Sequence, residues 1–380
     1  MLIFFFLVIT YSAANLYFYL KVISFAGAGT SADVLIGAVV LFLTLSPFFI
    51  PIYTHRGSEW SVKIFSCTGY LWVAFLVPFF PLGIVLDLYN IVLQYCTRIM
   101  NNDLSAMMLH PEKVFLIPLT ASLLIIIYGY FEAQYVRIER LLMYTQKLPE
   151  NINRVRVAQI SDVHLGVIVG EKNLDRIIRK IEREHPDIIV STGDLVDGVT
   201  RHIDHLAERL KTLDARHGKF AVMGNHEIYG GIKKTVKFIR DAGFTLLRGE
   251  GVTVNNAINI AGMDFSGGET AGYRSSSPGE NEQEVLSKLP SHLFTLLLKH
   301  KSDVEENSLG FFDLQLSGHS HKGQIFPMNL ATMFIFSYHT GFTELKKGSA
   351  IYTSRGTGTA GPPIRFLSTP EITIIDIMSD

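Results

Sequence analysis

The chain reads as two kinds of structure in series: an all-α set of four membrane-spanning helices, then a layered α/β domain with a mostly buried sheet core. Three observations predict this. Four charge-free runs, each about 18 residues or longer, fall within the first 131 residues. From residue 154 onward, short β-rich runs alternate with helical patterns and polar turns. Residues 1–135 carry only 11 of the charged side chains in a chain that has 34 basic and 35 acidic ones. With 48% hydrophobic residues and a net charge of -1, the protein is too apolar to be disordered. It is also too neutral to hold a polyphosphate by electrostatics, so no nucleic-acid partner is expected.

The apolar runs are Met1–Leu20, Val34–His55, Ile64–Leu86 and Val114–Phe131. A bilayer core needs about 20 apolar residues of helix, so each run predicts one span. A cleaved signal peptide is the competing reading of the first, but it lacks a basic start and an evident small-residue cleavage site. Pro78 and Pro81 predict a kink in the third span, with the freed carbonyls satisfied by neighbours. Asp87 closes that run and is expected at headgroup level. Arg56 and Lys63 follow the second span, and Arg137, Arg140, Lys147, Arg154 and Arg156 follow the fourth. Only Lys21, Arg98 and Lys113 lie on the other side. This bias predicts a multi-pass protein of the cell membrane with its α/β domain on the cytoplasmic side. The bilayer is therefore the first partner expected.

The stretch 134–153 mixes charges with Leu141, Leu142 and Met143, and Pro149 closes it, which predicts an interfacial helix and a short linker. The expected organisation is thus 1–133 transmembrane, 134–153 interfacial and 154–380 α/β. Predicted strands are Val155–Ile160, Ile188–Ser191, Phe220–Val222, Ile258–Ala261, Phe294–Leu298, Leu314–Leu316, Ala350–Thr353 and Ile372–Ile377. Leu174, Ile177, Ile178 and Ile181, spaced i, i+3, i+4, i+7, predict the clearest intervening helix.

Chemistry concentrates where the strands end. The first runs into Asp162 and His164, the second into Gly193, Asp194 and Asp197, and the third into Gly224, Asn225, His226 and Glu227. Two later strands end at Lys299–His300 and at Gly318, His319, His321. In extended chain, Asp162 with His164 and His319 with His321 would point the same way. The two cysteines, Cys67 and Cys96, lie in the apolar half, so a metal in the α/β domain must use nitrogen and oxygen donors. Such donors suit Mn, Fe or Zn ions better than a structural zinc cage. Seven candidate ligands exceed the needs of one ion that keeps positions open to water. Two divalent ions sharing a carboxylate, about 3.5–4 Å apart, use them economically and suit in-line displacement at phosphorus. Each motif alone is weak, since a lone His-x-His is usually a surface pair. Five such motifs at strand ends are a specific pattern.

These residues resemble the calcineurin-like metallophosphoesterase superfamily, whose pattern Asp-x-His, Gly-Asp, Gly-Asn-His-Glu, His, Gly-His-x-His is met in full from about Arg154 to the C-terminus. Gly323-Gln324-Ile325, Ser354-Arg355-Gly356-Thr357-Gly358, Pro363-Ile364-Arg365 and Pro370-Glu371-Ile372 resemble its bacterial membrane-associated branch. The resemblance implies a four-layer β-sandwich flanked by helices, with the site at its strand ends. It implies that Asp162, His164 and His321 hold one metal, Asn225, His300 and His319 the other, and that Asp194 bridges. It further implies that His226 protonates the leaving oxygen or stabilises phosphoryl charge, oriented by Asp197.

Lys322 stands where the branch often has glycine, and Lys299 where a small residue is common. Lys322 and Arg355 are the candidate phosphate-binding cations, with solvation or a loop salt bridge as the alternatives; Arg365 and Lys299 are weighed the same way. Tyr229, Asp264 and His339 are candidate rim residues, and Glu227 is expected to support its loop. The activity expected is hydrolysis of a phosphate or pyrophosphate ester by a metal-bridging hydroxide. The membrane anchor favours a lipid or lipid-linked substrate such as a phospholipid, an acylated sugar nucleotide or a polyprenyl diphosphate. A tethered phosphodiesterase or phosphatase for soluble substrates is the alternative, and a non-catalytic scaffold the least favoured reading.

Overall fold

The computed structural model describes residues 2–27, 29–56, 59–198, 203–265 and 281–380. The chain divides into two compact units, Met1–Phe131 with Ile325–Pro327, and Glu132–Gln324 with Met328–Asp380.

The first unit is built on α1 (Leu2–Ala26), α2 (Thr30–Arg56), α3 (Glu59–Met100) and α4 (Pro111–Gln134). All four are long and apolar enough to cross a membrane. Helix α3 continues through both Pro78 and Pro81 for 42 residues. Phe18 packs edge-on against Trp72, Phe75 and Phe79, joining α1 to α3. Between the helices, the amide oxygen of Asn15 accepts from Thr44 Oγ1 at 2.6 Å and from Trp72 Nε1 at 2.9 Å. Such bonds join apolar helices at points where their surroundings offer few competing partners. Asp87, expected at headgroup level, is gripped by α1: Lys21 Nζ lies 2.6 Å away and the Tyr17 hydroxyl donates at 2.7 Å. Run length marked where the charge falls but gave no sign of this partner one helix away.

The second unit is a sandwich. Its elements are β1 (Arg137–Thr145), β2 (Arg154–Ile160), α5 (Glu171–Glu184), β3 (Ile188–Ser191), α6 (Asp204–Lys211), β4 (Lys219–Ala221), α7 (Asn225–Tyr229), α8 (Ile232–Asp241), β5 (Thr245–Leu246), β6 (Glu250–Val254) and β7 (Ile258–Gly262). Then follow α9 (Glu282–Ser287), β8 (Phe294–Leu298), β9 (Leu314–Ser317), α10 (Met328–Ile335), β10 (Gly341–Glu344), β11 (Ala350–Thr353) and β12 (Glu371–Ser379). One six-stranded sheet runs β1-β12-β2-β3-β4-β5, the other β10-β11-β9-β8-β7-β6.

Burial on both faces explains the nearly continuous apolar strands. In β2, Val155 and Val157 join the core between the sheets, while Ala158 and Ile160 face the helices. Helix α5 contributes Leu174, Ile177, Ile178 and Ile181 to that outer core, all buried as their spacing predicts. On the far side, Ala261 of β7 and Leu297 of β8 pack with Val285 and Leu286 of α9. The four layers expected from the resemblance are present. All eight predicted strands form, and β1, β5, β6 and β10 were not foreseen.

Strand β1 corrects the interfacial-helix expectation for 134–153. It runs parallel to β12 in the register Arg137↔Glu371 to Thr145↔Ser379. Leu141 and Met143 pack on the core between the sheets, and Leu142 and Tyr144 alternate outward. The charges sit on an edge strand with one open side, a position that tolerates them.

Candidate metal centre

The parallel strands β2, β3, β4, β8 and β9 deliver their following loops to one end of the sandwich, where crevices outside strand ends favour ligands. Two sets of donor atoms meet there. Asp162, His164 and His321 form one cluster and Asp194, His300 and His319 another, each with ligand atoms within 4.8 Å of one another. His164 Nε2 and His321 Nε2 are 3.0 Å apart, and His321 Nε2 is 3.4 Å from Asp162 Oδ1. In the second set, His300 Nε2 is 3.2 Å from Asn225 Oδ1 and 3.1 Å from His319 Nδ1. The same carboxylate oxygen, Asp194 Oδ2, stands 3.7 Å from His164 Nε2 and 3.2 Å from His300 Nε2. All seven predicted ligands therefore converge, with Asp194 between the sets.

The backbone that achieves this differs from the extended pairs expected. Asp162, His164, Asp194, His319 and His321 all have φ between 47° and 71°. Left-handed residues of this kind are costly and cluster at sites the surrounding fold over-determines. These candidate ligands thus lie on left-handed turns, without the two-residue alternation of a strand. Close approach needs missing Cβ atoms as well. A Cβ on Gly318 would lie 2.0 Å from Ser161 Oγ and 2.2 Å from Asp162 Oδ2; one on Gly193 would lie 2.6 Å from His300 Nδ1.

The electrostatics fit a cation pair. Burial pushes the imidazoles of His164 and His321 below the ordinary range, and His321 also faces the Arg365 guanidinium. Burial and the charge of His300 lower His319 to about 4. Metal ligation requires unprotonated imidazole, and these three rings are held in that form. His300 behaves oppositely: burial opposes its charge, but Asp194 prevails and raises it. Asp194 is correspondingly held low in spite of burial, by the charge and hydrogen bond of His300. Nearly buried nitrogen and oxygen donors around a shared carboxylate, without sulfur, suit two divalent cations.

His226 sits beside the two sets, its ring 4.5 Å from that of His164. Its Nδ1 is 3.0 Å from Asp197 Oδ1. Burial works against its charge, yet the Asp197 hydrogen bond and the Asp194 charge raise its pKa to about 9. Glu227 supports the loops as expected, accepting from the backbone N–H groups of Asp194, Val196 and Gly224.

The predicted cations divide. Arg355 is corrected: its guanidinium is bound by Glu139 of β1 and Glu371 of β12, so two carboxylates already use it. Lys299 pairs with Glu282 at 2.8 Å and Asp303 at 3.5 Å. Lys322 stays close to the centre, in the turn after His321 and beside His339. Arg365 is wholly buried, donating to the carbonyls of Gly358, Arg355 and Ser368, with Nη2 3.1 Å from His321 Nδ1. It backs a candidate ligand from behind. Among the rim candidates, Tyr229 lies near His226, with ring centroids 5.9 Å apart, and Asp264 pairs with Arg248 at 2.7 Å. Missed in the sequence were Phe265 and Phe336, whose rings flank His319 at 5.7 and 5.5 Å. No motif signals either.

Comparison with known proteins agrees with this geometry. Residues 155–323 match the family model for calcineurin-like phosphoesterase. An uncharacterized metallophosphoesterase of Aquifex aeolicus is 41% identical over 251 residues, covering 66% of this chain and 95% of the relative. One of Bacillus subtilis is 32% identical over 259 residues, with coverages of 66% and 88%. A transmembrane protein with metallophosphoesterase domain from Danio rerio is 29% identical over 240 residues, covering 60% of this chain and 54% of the relative. With its strand-end donors gathered around Asp194, and the Aquifex and Bacillus relatives matched over 95% and 88% of their length, the chain belongs to the calcineurin-like metallophosphoesterase family and is a hydrolase of phosphoesters.

Proposed function

We propose that the protein is a membrane-anchored, two-metal phosphohydrolase acting on a phosphate or pyrophosphate ester of a lipid or lipid-linked substrate. The observation that carries the metal centre is the position of Asp194 Oδ2 between His164 and His300. Asp162, His164 and His321 would hold one ion, Asn225, His300 and His319 the other, with Asp194 shared. Mn, Fe or Zn suits the donor set. When bound, the ions supply Lewis acidity toward phosphoryl oxygens and lower the pKa of a bound water.

The remaining work belongs to side chains. Asp197 holds Nδ1 of His226, which leaves Nε2 to give its proton to the departing oxygen. The Asp197 hydrogen bond favours the protonated form of that ring. Lys322, next to ligand His321, is the candidate point charge for a substrate phosphate. The lipid reading is supported by the order of elements along the chain: the apolar helix α4 ends at Gln134 and β1 begins at Arg137. The Lys/Arg bias of the short loops supports a cytoplasmic catalytic unit.

The test is hydrolysis by the full chain in detergent after metal removal, then with Mn²⁺ restored, against long-chain lipid phosphates and short water-soluble diesters. Metal-dependent turnover that favours the lipid esters is expected. Turnover confined to soluble esters would discard the lipid substrate, and absence of turnover with any metal would discard the enzyme.

A further inference from the structure

Helix α10 is a surface element with no buried side chain. Its sequence, Met-Asn-Leu-Ala-Thr-Met-Phe-Ile, carries no charge, and Met328, Leu330, Met333, Phe334 and Ile335 are all exposed, Phe334 at 92%. Leaving large apolar side chains in water forgoes the free energy gained by burying them. Five on eight residues form the kind of patch that marks a binding face.

The helix is also fixed to the metal centre. At its start, Gly323 lies so close that a Cβ there would stand 2.3 Å from Asn329 N, and Gly323 follows candidate ligand His321 by two residues. Just past its end, the Phe336 ring meets that of His319 edge-on. Both histidines of the Gly-His-x-His motif therefore abut this one apolar helix or its continuation.

Hydrogen bonds connect the same face to the end of the last span. Gln324, four residues before α10, accepts from Phe366 N at 2.9 Å and donates its amide to the carbonyls of Ala360 and Pro362. The next residues of that loop are held by Glu132, in the last turn of α4, which accepts from Leu367 N at 3.2 Å and Thr369 Oγ1 at 2.8 Å. Leu367 is itself exposed, as is Tyr135, just past α4, where an aromatic residue suits headgroup depth. Exposed apolar side chains thus stand both on α10 and on the loop held by the last turn of α4.

We infer that α10 and Leu367 dock into the bilayer interface, seating the mouth of the metal centre among lipid headgroups. A phosphate carried on a lipid would then reach His319 and His321 without its acyl chains entering water. Hydrocarbon is the occupant that fits, because the face offers no charge to a polar partner and the exposed Leu367 stands on the loop held by the last turn of α4. The inference rests on α1–α4 as spans, and holds whether or not the substrate is a lipid.

The test places a nitroxide on the full chain at position 334 (Phe334→Cys, in a Cys67→Ser/Cys96→Ser background) in phosphatidylcholine–phosphatidylglycerol vesicles. Accessibility to oxygen and to a water-soluble nickel chelate is compared with labels at Leu124→Cys in α4 and at exposed Lys233→Cys in α8. The label at 334 is expected to favour oxygen, at a depth of about 5–10 Å, between the two controls. A label at 334 as open to nickel as that at 233 would overturn docking while leaving the spans intact. Nickel access at 124 would overturn the spans and docking together. Protection of 334 from both reagents, or broadening between labels that dilution with unlabelled chain removes, would assign the face to another protein or a second copy and overturn the inference.

Discussion

His226 illustrates how one side chain acquires a task from its surroundings. Its neighbours His164, His319 and His321 are pushed toward neutrality, whereas Asp197 and Asp194 hold this ring charged. If the ring gives a proton to the leaving oxygen, His226→Gln should lower kcat by about 10²–10⁴-fold. Metal content should stay at the wild-type level by elemental analysis; unchanged kcat would remove His226 from the chemistry. Lys219 supplies a stability effect at the same scale. Burial lowers its pKa from 10.5 to about 8, and its Nζ donates to the carbonyls of Leu210 and Ala242. Below pH 8 the lysine is charged in both folded and unfolded chains, and the folded state bears the full cost of burying that charge. Between pH 8 and 10.5 the unfolded chain binds more protons, so Lys219 makes stability rise with pH. Thermal unfolding from pH 8 to 10 should show this rise relative to Lys219→Met; parallel curves for the two proteins would refute it. The donor residues that converge were legible in the sequence because they follow strand ends in short local patterns. The fates of Arg355 and Lys299 were not, because Glu139, Glu371 and Glu282 come from elements that only folding brings near.

At the scale of elements, legibility followed burial. Strands β2, β3, β8 and β9 are covered on both faces, and their apolar runs announce them. Strand β1 is an edge whose ladder partner among the described residues, β12, lies at the other end of the chain, so its charges and its Leu-Leu-Met run suggested an interfacial helix. The loops after the strands carried a second hidden property, the left-handed backbone at five donors. Identity of residues predicts convergence there, but the conformation follows from packing of neighbouring loops. Gly318 tests that packing. Any Cβ at this position collides with Ser161 and Asp162, so Gly318→Ala must displace the loop that carries His319 or the side chain of Asp162. Displacing a group that orients ligands typically weakens metal binding by about 10–100-fold. Calorimetric titration with Mn²⁺ should show a loss of that order with far-UV circular dichroism unchanged, and wild-type affinity would mean the contact is slack.

For the molecule as a whole, the metal centre is where the two sheets are tied together. Asp162, Asp194 and Asn225 follow strands of one sheet, and His300 and His319 follow strands of the other. No such arrangement survives in an unfolded chain, so cations that bind here bind the folded sandwich. A ligand present at about 100 times its Kd stabilises the state it binds by about 2.7 kcal/mol. For a domain of this size, 1 kcal/mol moves the midpoint by about 2–4 °C, which predicts a shift of roughly 5–10 °C. Scanning calorimetry of the full chain in detergent, with EDTA and then with excess Mn²⁺, should place that shift in the transition of the catalytic unit. Asp194→Asn, which takes the charge from the oxygen shared by both donor sets, should lose most of it. The variant also leaves His300 without its ion-pair partner, so its EDTA midpoint should start lower. The informative quantity is therefore the increment on adding metal. An increment equal to wild type would mean the ions stabilise the fold from somewhere other than the site around Asp194.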